Sequence, residues 1–325
     1  MNESDIKLPS IEPSVLTNSL NTAVLFLVFN RPDTTELVFD VIRAAKPPKL
    51  YIAADGPRTD KSGEAENVEL VRSIVTNVDW ECEVKTLFRN ENLGCKNAVS
   101  GAINWFFENE DMGIILEDDC LPDVTFFRFC EELLEYYQYD QRIGMISGNN
   151  FQSGKSINNH SYYFSKFSHI WGWATWRDRW INTYDVDMKK WPYIRNNNYL
   201  NNIVSYKKEA DFWSNVFEFV YCGKVDTWDY QWAFANLIEG RLNIMPKVNM
   251  ITNIGFNENA THTVIDSDIA NMERNSINFP INHPIGIFRS YSADKSTYDK
   301  YFRVTLFRRI REKILSWSCR LFKIK

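Results

Sequence analysis

The sequence predicts an α/β fold: a mostly parallel mixed sheet flanked by helices, with a Trp-rich second half and an amphipathic C-terminal helix. Three observations carry this. Short unbroken apolar runs alternate with segments of helical periodicity as far as Ser147, the pattern of a parallel sheet covered on both faces. Eight of the eleven tryptophans fall between Trp171 and Trp232. The final stretch, Arg303–Lys325, departs in charge from everything before it.

The first twenty residues are polar and read as a lead-in. Ala23–Phe29 is an apolar run of strand length, followed by a helix over Thr34–Ala45 with Leu37, Val41 and Ala44 on one face and Pro32 at its start. Lys49–Ala54 is a second strand, ending in the turn signal Asp55-Gly56-Pro57. A helix over Glu64–Val75 leads to a strand at Glu83–Phe88. Asn92-Leu93-Gly94 then opens a helix through Phe107, and Gly113–Leu116 is the fourth strand. A helix from Val124 to Tyr137 and a strand at Ile143–Ser147 precede the Trp-rich region.

Composition excludes several classes. With 42 acidic against 37 basic residues the chain carries a formal −5, which argues against a nucleic-acid partner. Cysteines 82, 95, 120, 130, 222 and 319 form no CxxC, so neither a zinc site nor a secreted disulfide framework is expected. No run approaches the roughly 20 apolar residues of a membrane span, and Met1–Leu20 lacks a signal peptide's basic start and apolar middle. The expected location is therefore cytoplasmic. In Arg303–Lys325 eight Lys/Arg stand against one Glu, and Val304, Phe307, Ile310, Ile314, Trp317, Leu321 and Ile324 recur at steps of three and four. A basic amphipathic helix of this kind suits peripheral attachment to an anionic membrane surface, or packing onto the acidic body.

The sharpest chemical feature is Gly113-Ile-Ile-Leu-Glu117-Asp118-Asp119. Three carboxylates at the carboxyl end of a buried strand lie where open α/β sheets build ligand crevices. Side by side they repel unless a cation sits among them, and Mg²⁺ or Mn²⁺ with substrate phosphates supplies one. The alternative is a solvated strand end, with Asp123 capping the next helix. The chain has no GxGxxG, Walker or nucleophile-elbow sequence, and Asn30-Arg31-Pro32-Asp33 replaces the Gly-rich loop of a sugar-phosphate nucleotidyltransferase.

Taken together, Phe29-Asn30-Arg31-Pro32, Ala54-Asp55-Gly56, Asn92-Leu93-Gly94 and Leu116-Glu117-Asp118-Asp119 resemble a GT-A nucleotide-sugar glycosyltransferase. The Glu-Asp-Asp form is similar to the N-acetylglucosaminyltransferase I branch and its bacterial relatives. Trp171-Gly-Trp173-Ala-Thr-Trp176 resembles that branch's acceptor-side segment, Trp228-Asp229-Tyr-Gln-Trp232 its Trp-Asp-Asp-Trp region, and Asn253–Thr263 its downstream Gly/His loop. The second Asp of the Trp-Asp-Asp-Trp region is absent. The implied division is a GT-A-like domain over 21–302, with a nucleotide-binding half (21–120) and an acceptor and catalytic half (121–302), then the helix 303–325.

The resemblance implies a metal-dependent, inverting transfer from a nucleotide sugar to a hydroxyl of a saccharide or lipid-linked saccharide, in surface polysaccharide or glycan assembly. It makes Asp119 the metal ligand, sets Glu117 and Asp118 against the donor sugar and ribose, and Arg31 against the diphosphate. At the base position Asp55 can only accept hydrogen bonds, which favours UDP, with its N3–H, and then GDP, with N1–H. Lys96 and Asn97 fall where the family places a further base or ribose contact, and His262 in a loop over the diphosphate. Asp229 is the expected catalytic base, with Glu239 and Asp226 as alternates, and Trp171, Trp173 and Trp176 are expected to face the acceptor. The rival readings are a non-catalytic carbohydrate-binding protein using the Trp-rich half, and a nucleotide-sugar hydrolase.

Overall fold

The first strand, β1 (Val24–Val28), is buried along its whole length, which is why it reads as an unbroken apolar run. In the computed structural model, which describes residues 20–256 and 272–302, it lies near the middle of an eight-stranded sheet. The lead-in up to residue 19, His262 and the 303–325 segment lie outside the described residues. Helix α1 (Pro32–Ala45) begins at a proline whose fixed φ suits a first turn, and stops at Lys46 in the left-handed conformation before Pro47 and Pro48. Then follow β2 (Lys49–Ala54), α2 (Glu64–Thr76), β3 (Glu83–Phe88), α3 (Gly94–Asn109) and β4 (Met112–Glu117), each within two residues of its expected bounds.

These four strands are parallel and run in the order β3-β2-β1-β4. The chain winds outward from β1 to β3 and then returns to the other side of β1 for β4. That reversal leaves a crevice between the carboxyl ends of β1 and β4. Beyond β4 the sheet becomes mixed. After β5 (Cys120–Pro122) and α4 (Thr125–Tyr136) come β6 (Ile143–Ser147), β7 (Tyr162–Ser165) and β8 (Trp173–Trp176). Four helices follow: α5 (Arg177–Ile181), α6 (Trp191–Asn196), α7 (Leu200–Ile203) and α8 (Lys207–Tyr221). Then α9 (Asp229–Ile238), β9 (Leu242–Pro246) and β10 (Ile251–Asn253) lead to α10 (Tyr291–Thr297) and a π turn, Tyr298–Phe302. The sheet continues β4-β8-β6-β9-β7, with β8 antiparallel to β4 so that Ile115 opposes Trp173. The two expected halves therefore share one sheet.

Alternation along β1 divides the core. Val24, Phe26 and Val28 pack with α1, α2 and α4 on one face, while Leu25 and Leu27 pack with α3 and a tryptophan cluster on the other. Each such side chain fully buried contributes about 1.5–3 kcal/mol. The tryptophans of the second half serve mainly this core. Trp173 lies 5.7 Å from both Trp228 and Trp232 between ring centroids, and Trp180 5.1 Å from Trp232. Trp191 and Trp213 are buried in a separate cluster of α6, α8 and α9. A short antiparallel pair, β5 with β10, sets Asn253 opposite Cys120, so the chain after β10 crosses the end of β4.

Candidate active site

The acidic triplet follows directly from β4. Asp118 is buried: its Oδ2 accepts from the Phe29 amide at 3.0 Å, and its Oδ1 accepts from Arg31 Nη2 at 3.0 Å. The same Nη2 lies 2.9 Å from Asp119 Oδ2. The first turn after β1 thus delivers a guanidinium to the carboxylates after β4, across the crevice. Burial alone would lower the Arg31 pKa, but the Asp118 and Asp119 charges raise it, fixing the guanidinium in its charged form. Part of the charge expected from a metal is therefore supplied by the chain itself.

One guanidinium does not balance three carboxylates. Burial, and then its carboxylate neighbours, push Glu117 well above the ordinary range. Its Oε1 is buried without a hydrogen-bond partner among the described residues. Burial likewise raises Asp118 to about 6 despite Arg31. Among the described residues no three acidic, His or Cys side chains converge as a ready-made cage. A hard cation held by Asp119 together with substrate phosphates needs no such cage, and the surplus negative charge and the orphaned Glu117 oxygen suit one. Gly255, delivered by β10, closes over this point. A Cβ there would overlap Asp119 Oδ2 and sit 2.8 Å from Arg31 Nη1.

Asp55, at the end of β2, turns its carboxylate to the start of α3. It accepts from the Leu93 amide at 3.1 and 3.0 Å and from Gly94 at 3.2 Å, while burial raises its pKa. Asp226 accepts from the next two amides, Cys95 at 2.8 Å and Lys96 at 2.9 Å. Four successive amides at this helix start are thereby satisfied by two carboxylates, which also oppose the positive end of the helix. Gly94 is required here, with φ +75° and an added Cβ falling 2.6 Å from Asp226 Oδ2. Asp226 serves as a helix cap here. Glu239, the other alternate base, follows the far end of α9 and pairs with Lys190 at 3.1 Å.

Two cavities open at the crevice. One, of about 270 Å³, lies between the ends of β1, β2 and β4 and the first turns of α3, with Asp55, Asp118, Arg58 and Arg89 in its wall. The other, of about 360 Å³, is lined by Asp119, Trp171, Asp229, Gly255 and Phe256. They meet at Arg31, Cys95 and Glu117, which line both. Asp229 opens α9 and accepts from the Thr227 hydroxyl, and its charge is one of those that raise Glu117. Trp171 stands edge-on to Phe256 at 5.5 Å.

Not every expected residue is here. Trp173 and Trp176 are buried, the latter donating from Nε1 to the Leu134 carbonyl at 3.0 Å, so neither offers a face to an acceptor. Strand alternation and the tryptophan cluster claim them, and only Trp171 of the three lines a cavity. Lys96 lies 3.6 Å from Asp187 and Asn97 is exposed, and neither borders the two cavities. The inward face of α3 belongs to Cys95, Ala98, Val99 and Ala102, and at 100° per residue the two polar side chains turn away. His262 lies outside the described residues. Sequence reasoning missed Arg89, at the end of β3. Burial lowers its pKa, the one charge acting on it is Asp55, and among the described residues its guanidinium makes no ion pair. The position matches that of Asp55 one strand away, a signal available from the strand boundaries. Gly255 and Phe256 fall within Asn253–Thr263, the Gly/His-loop stretch of the resemblance, though nothing there singles them out; the β5–β10 pairing brings them to the Asp119 side.

No protein-family model matches the chain, and no curated protein matches it. Among solved structures it is similar to an apo UDP-glucose pyrophosphorylase, at 9% identity over 72% of this chain and 93% of that one, with a TM-score of 0.36. It is also similar to a UDP-glucose pyrophosphorylase complexed with UDP-glucose, at 11% identity over 45% of this chain and 62% of that one, with a TM-score of 0.24. Likeness at this level carries no functional argument.

Proposed function

We propose that the chain is a metal-dependent, inverting glycosyltransferase that moves a sugar from a nucleotide sugar, a UDP-sugar foremost, to a hydroxyl of a saccharide or lipid-linked saccharide. The observation that carries this reading is the pair of cavities meeting at Arg31 and Glu117 beside the acidic triplet. The first offers three Arg (Arg31, Arg58 and Arg89) together with Asp55 over an apolar floor, suited to a nucleoside diphosphate, with Glu117, Asp118 and Asp226 also in its wall. The second offers an aromatic wall and a carboxylate, suited to a sugar hydroxyl.

In this reading Asp55 accepts a base N–H while Arg89 donates to a neighbouring base carbonyl. Arg31 turns its remaining N–H groups to the diphosphate. Asp119 would hold Mn²⁺ or Mg²⁺ against the phosphates, and the ion supplies charge neutralisation to the departing diphosphate. Glu117, at the junction, faces the donor sugar. The acceptor oxygen attacks the anomeric carbon as the bond to the β-phosphate oxygen breaks. The proton passes to Asp229, and the nucleoside diphosphate leaves with the electron pair. The reading as a sugar-binding protein is weakened by the burial of seven of the eight tryptophans between Trp171 and Trp232.

The test is calorimetric titration with UDP, CDP and GDP, with and without Mn²⁺, followed by turnover of UDP-sugars. Mn²⁺-dependent UDP binding supports the reading, and its absence for every nucleotide defeats it. Release of free sugar at the same rate with and without saccharide acceptors would make the protein a hydrolase.

A further inference from the structure

The segment from His283 to Tyr291 carries an apolar edge that the fold leaves in water. Ile285 is 97% exposed, Phe288 73% and Tyr291 53%, and Tyr136 beside them is 59% exposed. The edge is held in place. His283 stacks on Tyr136 at 4.2 Å, with rings 10° from parallel, and its Nδ1 lies 2.9 Å from the Tyr162 hydroxyl. At the other end the Ser290 amide donates to the Phe164 carbonyl at 2.8 Å, and Arg289 pairs with the buried Asp294. The Phe288 ring lies against Gly286, where a Cβ would come within 2.7 Å of it. Large apolar side chains fixed outward in this way mark a contact surface.

Two features say what the contact is. Aliphatic and Phe side chains stand at the tip with tyrosines at the flanks, the arrangement suited to the boundary between acyl chains and headgroups. The chain then runs from Tyr291 through α10 and the π turn to Phe302, where the 303–325 segment begins with its eight basic residues and one acidic residue. The rest of the chain holds 29 basic against 41 acidic residues, so its net charge opposes an anionic surface and the attraction has to come from the 303–325 segment. One weak apolar contact gives only marginal attachment, and an apolar contact beside a polybasic segment gives a stable one. We propose that the 283–291 loop, flanked by Tyr136, is a docking edge that seats on an anionic phospholipid surface, with the basic 303–325 segment supplying the attracting charge. This does not rest on the transferase reading.

The test is co-sedimentation of the full chain with phosphatidylcholine vesicles, with and without about one-third phosphatidylglycerol. Wild type partitions onto the anionic vesicles. The double exchange Ile285→Ser with Phe288→Ser lowers that partition about tenfold or more, because two apolar side chains no longer insert. Its melting temperature stays that of wild type, since both residues are exposed. Equal partition of wild type and variant overturns the proposal, as does failure of wild type to bind anionic vesicles. A melting temperature several degrees lower in the variant would show the chain's own residues covering the edge. A wild-type dimer that the exchange dissolves would make it a self-association face. Either result overturns membrane docking.

Discussion

Replacing Glu117 with Gln is expected to stabilise the protein while removing its function. The reason lies in the imbalance of three carboxylates against Arg31. Asp118 gives the scale: with two donors bound it still stands at about 6, roughly two pH units above an ordinary aspartate. Two pH units correspond to about 3 kcal/mol of cost at neutral pH. Glu117 is raised in the same direction by burial and by the same neighbours, and its Oε1 has no donor among the described residues. Gln keeps the shape and removes the charge but must still place a polar amide, so the expected net gain is on the order of 1 kcal/mol. For a chain of this size that is a rise of about 1–2 °C in Tm. The sign with pH follows from folded-state values lying above unfolded ones. The stability these groups contribute is present in acid and is lost as pH rises, for Asp118 between about 4 and 6. The advantage of Glu117→Gln should therefore be largest near pH 8 and shrink towards pH 5. Urea unfolding of both proteins at the two pH values measures it. A variant less stable than wild type at pH 8 would show the Glu117 charge to be satisfied, and the electrostatic account of the site would fall.

Asp119→Ala should abolish Mn²⁺-dependent UDP binding and leave the unfolding free energy from urea titration within about 1 kcal/mol of wild type, since a strand-end carboxylate contributes little packing. Wild-type affinity in that variant would remove Asp119 as the metal ligand. Asp229→Asn should keep UDP affinity and lose about 10²–10⁴ in transfer rate, read by product formation at saturating donor. Gly94→Ala should cost about 2–4 kcal/mol, because it strains a positive φ and displaces the Asp226 cap, and its thermal melt checks this. Burial lowers His169 to about 3, below its unfolded value, so its contribution is present above about 6.5 and is lost in acid at about 1.4 kcal/mol per pH unit. His169→Phe should flatten that part of the pH dependence of unfolding.

Three of the four parallel strands were legible because burial on both faces leaves little choice of residue, β3 at the sheet edge being the exception. Ala23–Phe29 and Leu50–Ala54 are apolar throughout, and the crevice position of Glu117-Asp118-Asp119 followed from strand direction alone. What the sequence hid is what depends on pairing between distant segments. Asp226 is a lone acid in the chain and a helix cap in the fold, because 131 residues separate it from the amide it caps. The Trp-Gly-Trp-Ala-Thr-Trp segment looked like a row of sugar-facing rings because its spacing allows it. A strand, however, turns alternate residues to opposite faces, and both faces of β8 are covered. Trp173 and Trp176 therefore go into opposite cores, and Trp171, lying before the strand, alone reaches the cavity. Their burial gives the tryptophans a different bearing on the chemistry. Trp228 immediately precedes Asp229 and is stacked on Trp173, which sits opposite Ile115, two residues before Glu117. The same cluster thus ties the start of α9 to the end of β4. It fixes the separation between the carboxylate proposed to take the proton and the one proposed to face the donor. Trimming Trp173 should then disturb both cavities at once, although its side chain borders neither.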